Sequence, residues 1–227
     1  MRIVRQLRGK LKDYWLKDVS FLLLFVFLFL NLFVFSPMID ELKTGELLYN
    51  VSLMAILFSG VWSVKKSVFR FIGGLLFVMV LVFKILRLYE EIELFYNLEL
   101  IIIILYLIYL IKTNFALLFR DYEVNFYRII GAVNVYLLFA LVGAYLFLLM
   151  EIIHPGNFSN SAEIDTYETG LSNFIYFSLV SISTVGYGEM YPEHSFARSL
   201  SVFIAVLGLL YPTLVIARLI TLELQKK

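Results

Sequence analysis

An all-α membrane protein is what this sequence predicts, and three observations predict it. The 227 residues are 61% hydrophobic and only 16% charged, a balance foreign to water-soluble domains. The apolar residues fall into long runs, separated by charged segments that alternate between basic and acidic. One further apolar stretch, 173–183, is too short to cross a bilayer and leads straight into a glycine-bearing loop. Six transmembrane helices plus one re-entrant helix accommodate all three, because irregular backbone at membrane depth is tolerated only where protein or water covers it.

The elements follow in order. Residues 1–18 carry Arg2, Arg5, Arg8, Lys10, Lys12 and Lys17 among apolar residues at three- and four-residue steps. That is the pattern of a cytoplasmic amphipathic segment on an anionic inner leaflet. A crossing takes roughly 20 apolar residues. The first span is expected over 19–35 with Pro37 closing it, the second over 47–64, the third over 71–88, and a short fourth over 98–111. Together 19–112 form a four-helix peripheral domain, joined by a polar cytoplasmic linker, 113–126, to a pore-sided domain, 127–227. Within the latter come a fifth span at 127–150, a polar turret at 151–172, the re-entrant stretch and its loop, and a sixth span at 196–222. Basic residues cluster in the amino-terminal tail, at Lys65, Lys66 and Arg70, and at Lys112, Arg120 and Arg128, while the alternate loops hold Asp40, Glu41, Glu46, Glu90, Glu91 and Glu93. The positive-inside rule then puts both termini in the cytoplasm of a multi-pass plasma-membrane (cell inner membrane) protein. No small-residue cleavage site follows the first apolar run, so that span is expected to be retained.

Several chemistries are excluded. There are no cysteines, hence no disulfide and no thiolate metal site. The two histidines, His154 and His194, sit beside prolines in segments outside the membrane, with no second ligand at metal spacing. No nucleophile–base pair stands out, so the chain is not read as an enzyme, and neither a cofactor nor a nucleic-acid partner is expected. Asn157-Phe158-Ser159 matches a glycosylation sequon.

The stretch Ser183-Thr184-Val185-Gly186-Tyr187-Gly188-Glu189, with Pro192 beyond it, carries the most specific signal. A potassium ion leaves water only where other oxygens replace its hydration shell. Backbone carbonyls do this with moderate dipoles, whereas carboxylates would hold the ion too tightly to release it. Aiming successive carbonyls at one axis requires backbone conformations that side chains resist and glycine tolerates, which is the need that Gly186 and Gly188 meet.

Span, re-entrant helix, Thr-Val-Gly-Tyr-Gly, span: residues 127–222 resemble the pore module of the tetrameric potassium channels, and four spans ahead of it resemble the six-transmembrane branch of that superfamily. The resemblance implies a homotetramer in the lipid bilayer that conducts K+ passively. It assigns Thr184, Val185, Gly186 and Tyr187 as K+ ligands, with Gly188 at the mouth. Glu189 stands where relatives usually have Asp. Tyr176 and Phe177 stand where many have two Trp residues that brace the filter, and Val180 where some have Glu. We expect the Tyr176 hydroxyl to bond Glu189. Gly208 matches the glycine at which inner helices bend, and Pro212 follows one turn later. Ile216 and Ile220, at four-residue steps from Pro212, would face the axis and close it by dewetting. External acids, Glu163, Asp165, Glu168, Glu189 and Glu193, would concentrate cations. A ring of Tyr191 side chains at the mouth would bind quaternary ammonium.

Voltage sensing needs basic residues at every third position of the fourth span, yet 98–111 has none before Lys112. Lys84 and Arg87 are the only candidates within a span, and are read as snorkelling or as paired with Glu90 and Glu91. The expectation is a voltage-independent potassium channel. The alternatives are a weakly voltage-gated channel using Lys84 and Arg87, or a non-conducting membrane scaffold. Five residues follow Leu222, so no appended soluble regulatory domain is expected.

Overall fold

The computed structural model describes residues 20–42, 44–62, 67–89, 93–119, 126–159 and 167–224. The amino-terminal amphipathic segment, Glu90, Glu91, Arg120, Glu163 and Asp165 lie outside the described residues. Within them the regular elements are helices: α1 (Ser20–Phe29), a π-helical segment (Leu30–Phe35), α2 (Ser36–Glu41), α3 (Gly45–Trp62), α4 (Ser67–Tyr89), α5 (Glu93–Leu118), α6 (Phe126–Ile153), α7 (Tyr167–Ile182) and α8 (Ser195–Leu224). Among the described residues, five runs are long and apolar enough to cross a membrane: Ser20–Ile39, Phe69–Arg87, Leu94–Leu118, Phe126–Ile153 and Ser195–Thr221. The apolar part of α3, Gly45–Gly60, is shorter.

Two boundaries differ from expectation for physical reasons. Pro37 does not close the first span; the helical path continues through it to Glu41. Proline has no N–H, and its ring crowds the carbonyl four residues back. The π-helical segment just before it widens the turn and absorbs that conflict, with the Ser36 N–H reaching the carbonyl of Asn31. The fourth span is not short either, since α5 is 26 residues long. Thr113 and Asn114, expected to open a polar linker, are buried and turn their side chains back onto the Leu110 carbonyl at 3.0 and 2.8 Å. Helix backbone absorbs their polarity, so no exposed connector is needed there. Arg128, expected in a cytoplasmic loop, is buried in the first turn of α6.

The bundle is built around α6, which packs against α1, α5, α7 and α8. The peripheral helices close on one another: α3 on α1, α2 and α4, and α4 on α5. Their polar side chains find partners between helices. The Lys84 Nζ lies 3.2 Å from the Glu99 Oε1 and donates to the Asn50 Oδ1 at 2.7 Å. The Arg87 Nε lies 3.7 Å from the Glu99 Oε2, with its guanidinium 5.4 Å over the Tyr96 ring. Lys84 and Arg87 of α4 thus face a buried carboxylate of α5, a partner that the expectation of headgroups or of Glu90 and Glu91 did not include. Polar contacts join this unit to the helices that follow: the hydroxyls of Tyr49 and Tyr145 meet at 3.2 Å, the Asn134 amide donates to the Phe21 carbonyl at 2.7 Å, and the Ser172 hydroxyl donates to the Ser36 carbonyl at 3.1 Å.

Candidate functional site

The re-entrant helix α7 packs against α6 and α8, with the Ser178 hydroxyl donating to the Ala140 carbonyl at 2.6 Å. An aromatic cluster holds its outer half: Phe177 lies 5.0 Å from Phe147 and 5.5 Å from Phe158, and Phe174 lies 5.1 Å from Phe158. Phe177 is buried in that cluster. Within one chain it anchors the helix to α6 and to the turret. A phenyl ring has no donor, and burial against α6 is the use left to it.

α7 ends in a hydrogen-bonded reversal that sequence reading missed. The N–H of Thr184 reaches the Ser181 carbonyl at 3.0 Å, and that of Val185 reaches the Val180 carbonyl at 3.1 Å. These 5→2 and 6→1 bonds, with a left-handed residue at the turn, make a Schellman motif. The left-handed residue is Thr184, at φ +59°. Glycine normally fills that position, and an L-residue there costs about 1–2 kcal/mol. Threonine at this point gives the helix stop a hydroxyl that glycine would lack. Val180, noted in the sequence only for lacking a carboxylate, contributes its carbonyl, which also accepts from the Ser183 hydroxyl at 3.2 Å.

Beyond the stop, the chain runs as an exposed ribbon. Gly186 and Gly188 have φ of +56° and +85°, and among the described residues the only non-glycine with positive φ is Thr184. The sign of φ therefore alternates through Thr184, Val185, Gly186, Tyr187 and Gly188. In an extended strand, successive carbonyls point to opposite sides. Reversing the handedness at every second residue is what allows them to share one side. Nothing lies within 4 Å of where a Cβ would stand on either glycine, so conformation and not crowding demands glycine there. Tyr187 is 68% exposed, without packing inside its own chain.

Behind the ribbon, the Tyr176 hydroxyl donates to the Glu189 Oε2 at 2.7 Å. Its outer end is tied to the turret. The Ser159 N–H donates to the Tyr191 carbonyl at 2.9 Å, the Glu193 N–H to the Asn157 carbonyl at 2.8 Å, and Phe158 and Pro192 form the bridge between them. Tyr191 itself is exposed at this mouth. The Asn157 side chain is buried, donating to the carbonyls of Met150 at 2.8 Å and His154 at 2.6 Å. Its amide nitrogen is thus occupied in closing α6, and the sequon is not open to modification in this fold.

On the inner helix, Gly208 lies against the end of α7: a side chain there would run into the Ile182 carbonyl. α8 is continuous through it and through Pro212. Gly208 thus serves close packing instead of a visible hinge, although Pro212 leaves the Gly208 carbonyl without its usual helical donor. The Tyr136 hydroxyl donates to that same Ile182 carbonyl at 3.1 Å, and the Tyr211 hydroxyl to the Ala132 carbonyl at 2.9 Å, so α6, α7 and α8 are locked together beneath the ribbon. Ile216 and Ile220 are both 56% exposed, away from the buried face that carries Ile204, Tyr211 and Val215. No group of three or more His, Cys, Asp or Glu able to hold a metal occurs among the described residues.

Residues 132–224 match the family described as ion channel. No curated protein and no solved structure matches the chain.

Proposed function

Proceeding from an ion channel domain of the pore-loop type over residues 132–224, we propose that four copies of this chain assemble into a passive potassium-selective channel. The observation that carries this reading is the alternating backbone of Thr184 to Gly188. A ribbon of that form can present a ladder of peptide oxygens along one edge, and four such edges around an axis replace a potassium ion's water. The Thr184 hydroxyl would stand at the inner end of the ladder and Gly188 at its mouth. Exposure points to the same assembly. Val185 and Tyr187 are 53% and 68% exposed in one chain, and irregular backbone cannot face lipid. Further copies of the same chain would supply the cover, with Tyr187 packing outward from the axis. The carbonyl end of α7, just before the ribbon, adds partial negative charge where a cation would wait below it.

The channel is read as voltage-independent, in a plasma membrane with both termini cytoplasmic. Lys84 and Arg87, the candidate gating charges, share one buried carboxylate, Glu99, so a field acting on them would have to break these ion pairs first. Purified protein reconstituted in liposomes tests the whole reading. We expect K+ flux that exceeds Na+ flux, is blocked by Ba2+ and has an open probability independent of the clamped voltage. Equal passage of both cations would refute the selectivity, and a conducting particle of any stoichiometry other than four would refute the assembly.

A further inference from the structure

α6 is covered on one side before any second copy arrives. Gly131 lets the Phe21 ring of α1 lie directly on the helix, since a Cβ there would stand 2.9 Å from two of its carbons. One turn on, the Asn134 amide donates to the Phe21 carbonyl at 2.7 Å, and farther along the Tyr145 hydroxyl meets that of Tyr49. Asn134 and Tyr145 are both buried. Facing lipid, they would leave polar groups with nothing to answer them, at a cost that these partners on α1 and α3 remove. α5 adds the longest contact face of the unit, and at its end Leu118 is buried with Val135, Tyr211 and Val215. The result is that 61% of the α6 span is buried within one chain, against 22% of the α8 span. Four copies raise the question of whose α6 each peripheral unit covers, because elements can be exchanged between copies without changing their contacts. Two observations favour its own. α5 ends at Leu118 and α6 starts at Phe126, and helices joined by so short a connection pack as antiparallel neighbours. The contact of Leu118 with Val135 also lies close to that connection, so an exchange would have to part the helices where they are tied.

We propose that each peripheral unit stays on the α6 of its own chain in the assembly, and that a second copy docks on the bare face of α8 and on the ribbon. This rests on the reading of the channel as four copies. Val202, Phe203, Leu209 and Leu214 of α8 are each more than half exposed, and the face they form continues into a ribbon that lipid cannot cover. α4, with 11% of its span buried, is left at the perimeter with lipid. A stimulus that moves the peripheral unit then acts on the pore helices of the same chain, through the packed faces of α1 and α5, and not on those of a neighbour.

The test is disulfide trapping in the full chain, which has no cysteine of its own. A Cβ at Gly131 would lie 3.1 Å from the Phe21 Cγ, which brings the two Cβ atoms near the ~3.5–4.5 Å that a disulfide spans. Two differently tagged chains are made together in membranes, oxidised and separated under denaturing conditions. In the first arm both carry Phe21→Cys with Gly131→Cys. In the second, one carries Phe21→Cys and the other Gly131→Cys with Phe21→Ala, so that no ring meets the new side chain. The doubly substituted chain is expected to lose its free thiols and stay a monomer. The split pair should give no covalent dimer, although the two tags purify together. Covalent dimers from the split pair, or a ladder up to the tetramer in the first arm, would overturn the arrangement. So would free thiols that persist in both arms, because Phe21 would then not lie on Gly131. If these chains fail to assemble, Ser36→Cys with Ser172→Cys, where the Ser172 hydroxyl reaches the Ser36 carbonyl, is split and read in the same way. Tags that fail to purify together in the unsubstituted chain would instead overturn the four-copy reading.

Discussion

The peripheral helices α1 to α5 and the channel domain α6 to α8 treat polar groups in opposite ways. In the peripheral unit, polar side chains are answered from within the chain. Asn31 donates to the Ser52 hydroxyl at 2.6 Å, Tyr106 to the Leu57 carbonyl at 2.6 Å and Tyr109 to the Phe69 carbonyl at 2.9 Å. Along its spans it exposes apolar residues such as Phe71, Leu75 and Val78 on α4, and lipid satisfies those. The α6 to α8 region exposes backbone instead, in the ribbon; its α8 span, 22% buried, is no barer than the 11% of α4, so the ribbon and not the spans sets the two regions apart. One region is complete in a single copy. In the proposed tetramer the other is complete only in company, and perturbations of the two should then fail differently.

The largest effect is expected at the ribbon. Gly186→Ala meets no neighbour within its own chain, so its cost there is the left-handed backbone, about 1–2 kcal/mol in each copy. Across a ring of four this amounts to several decades in the population of the conducting form, at about 1.4 kcal/mol per decade. K+ flux should vanish while the thermal midpoint of the folded chain in detergent hardly moves. Retained flux would mean that the alternation of φ is not what conduction needs.

Glu99 is the corresponding point in the peripheral unit, with the outcomes reversed. Glu99→Leu leaves Lys84 and Arg87 facing a site that no longer balances them, and breaking a buried pair this way costs about 3–5 kcal/mol. The thermal midpoint should fall sharply, and the K+/Na+ permeability ratio of whatever assembles should not change. Neutralising the bases separates a static ion pair from a sensor. A charge crossing the field is worth about 2.3 kcal/mol per 100 mV, so Lys84→Gln with Arg87→Gln should leave the dependence of open probability on voltage flat. A steep dependence that this pair of changes abolishes would restore the weakly voltage-gated alternative.

How far the sequence was legible follows the same division. Gly186 and Gly188 could be read because a positive φ is a local demand that one residue type meets, and the ends of α6 and α8 because hydropathy is local too. Glu99 could not be read as a partner for Lys84 and Arg87. An acid inside an apolar run shows only as an interruption, and its meaning depends on which helix packs beside it. Ser159 escaped for a similar reason, since a turret composition says nothing of which carbonyl its N–H will meet. Thr113 and Asn114 misled outright: polarity suggested a linker, but both bond their own helix.

Gly208 sharpens the comparison inside the channel domain. Gly208→Ala places a methyl group against the backbone carbonyl of Ile182, which no side-chain rotation relieves, and overpacking of this kind costs about 1–3 kcal/mol. If the glycine serves close packing, the thermal midpoint and K+ flux should fall together. If it serves as a hinge, flux should change with the midpoint unaltered.

The smallest effect belongs to the joint between the regions. Tyr145→Phe removes one neutral hydrogen bond to Tyr49, worth about 1 kcal/mol. Because both hydroxyls are buried and face each other across the boundary between α3 and α6, the loss strands its partner, and Tyr49→Phe should cost a similar amount. The double substitution removes the stranded group as well. It should therefore destabilise no more than either single change, and the thermal midpoints of the four proteins form a cycle whose interaction energy reports this one contact. Additive losses would mean that each hydroxyl works with some other group, and would leave Asn134 to Phe21 and Ser172 to Ser36 as the polar links between the two regions.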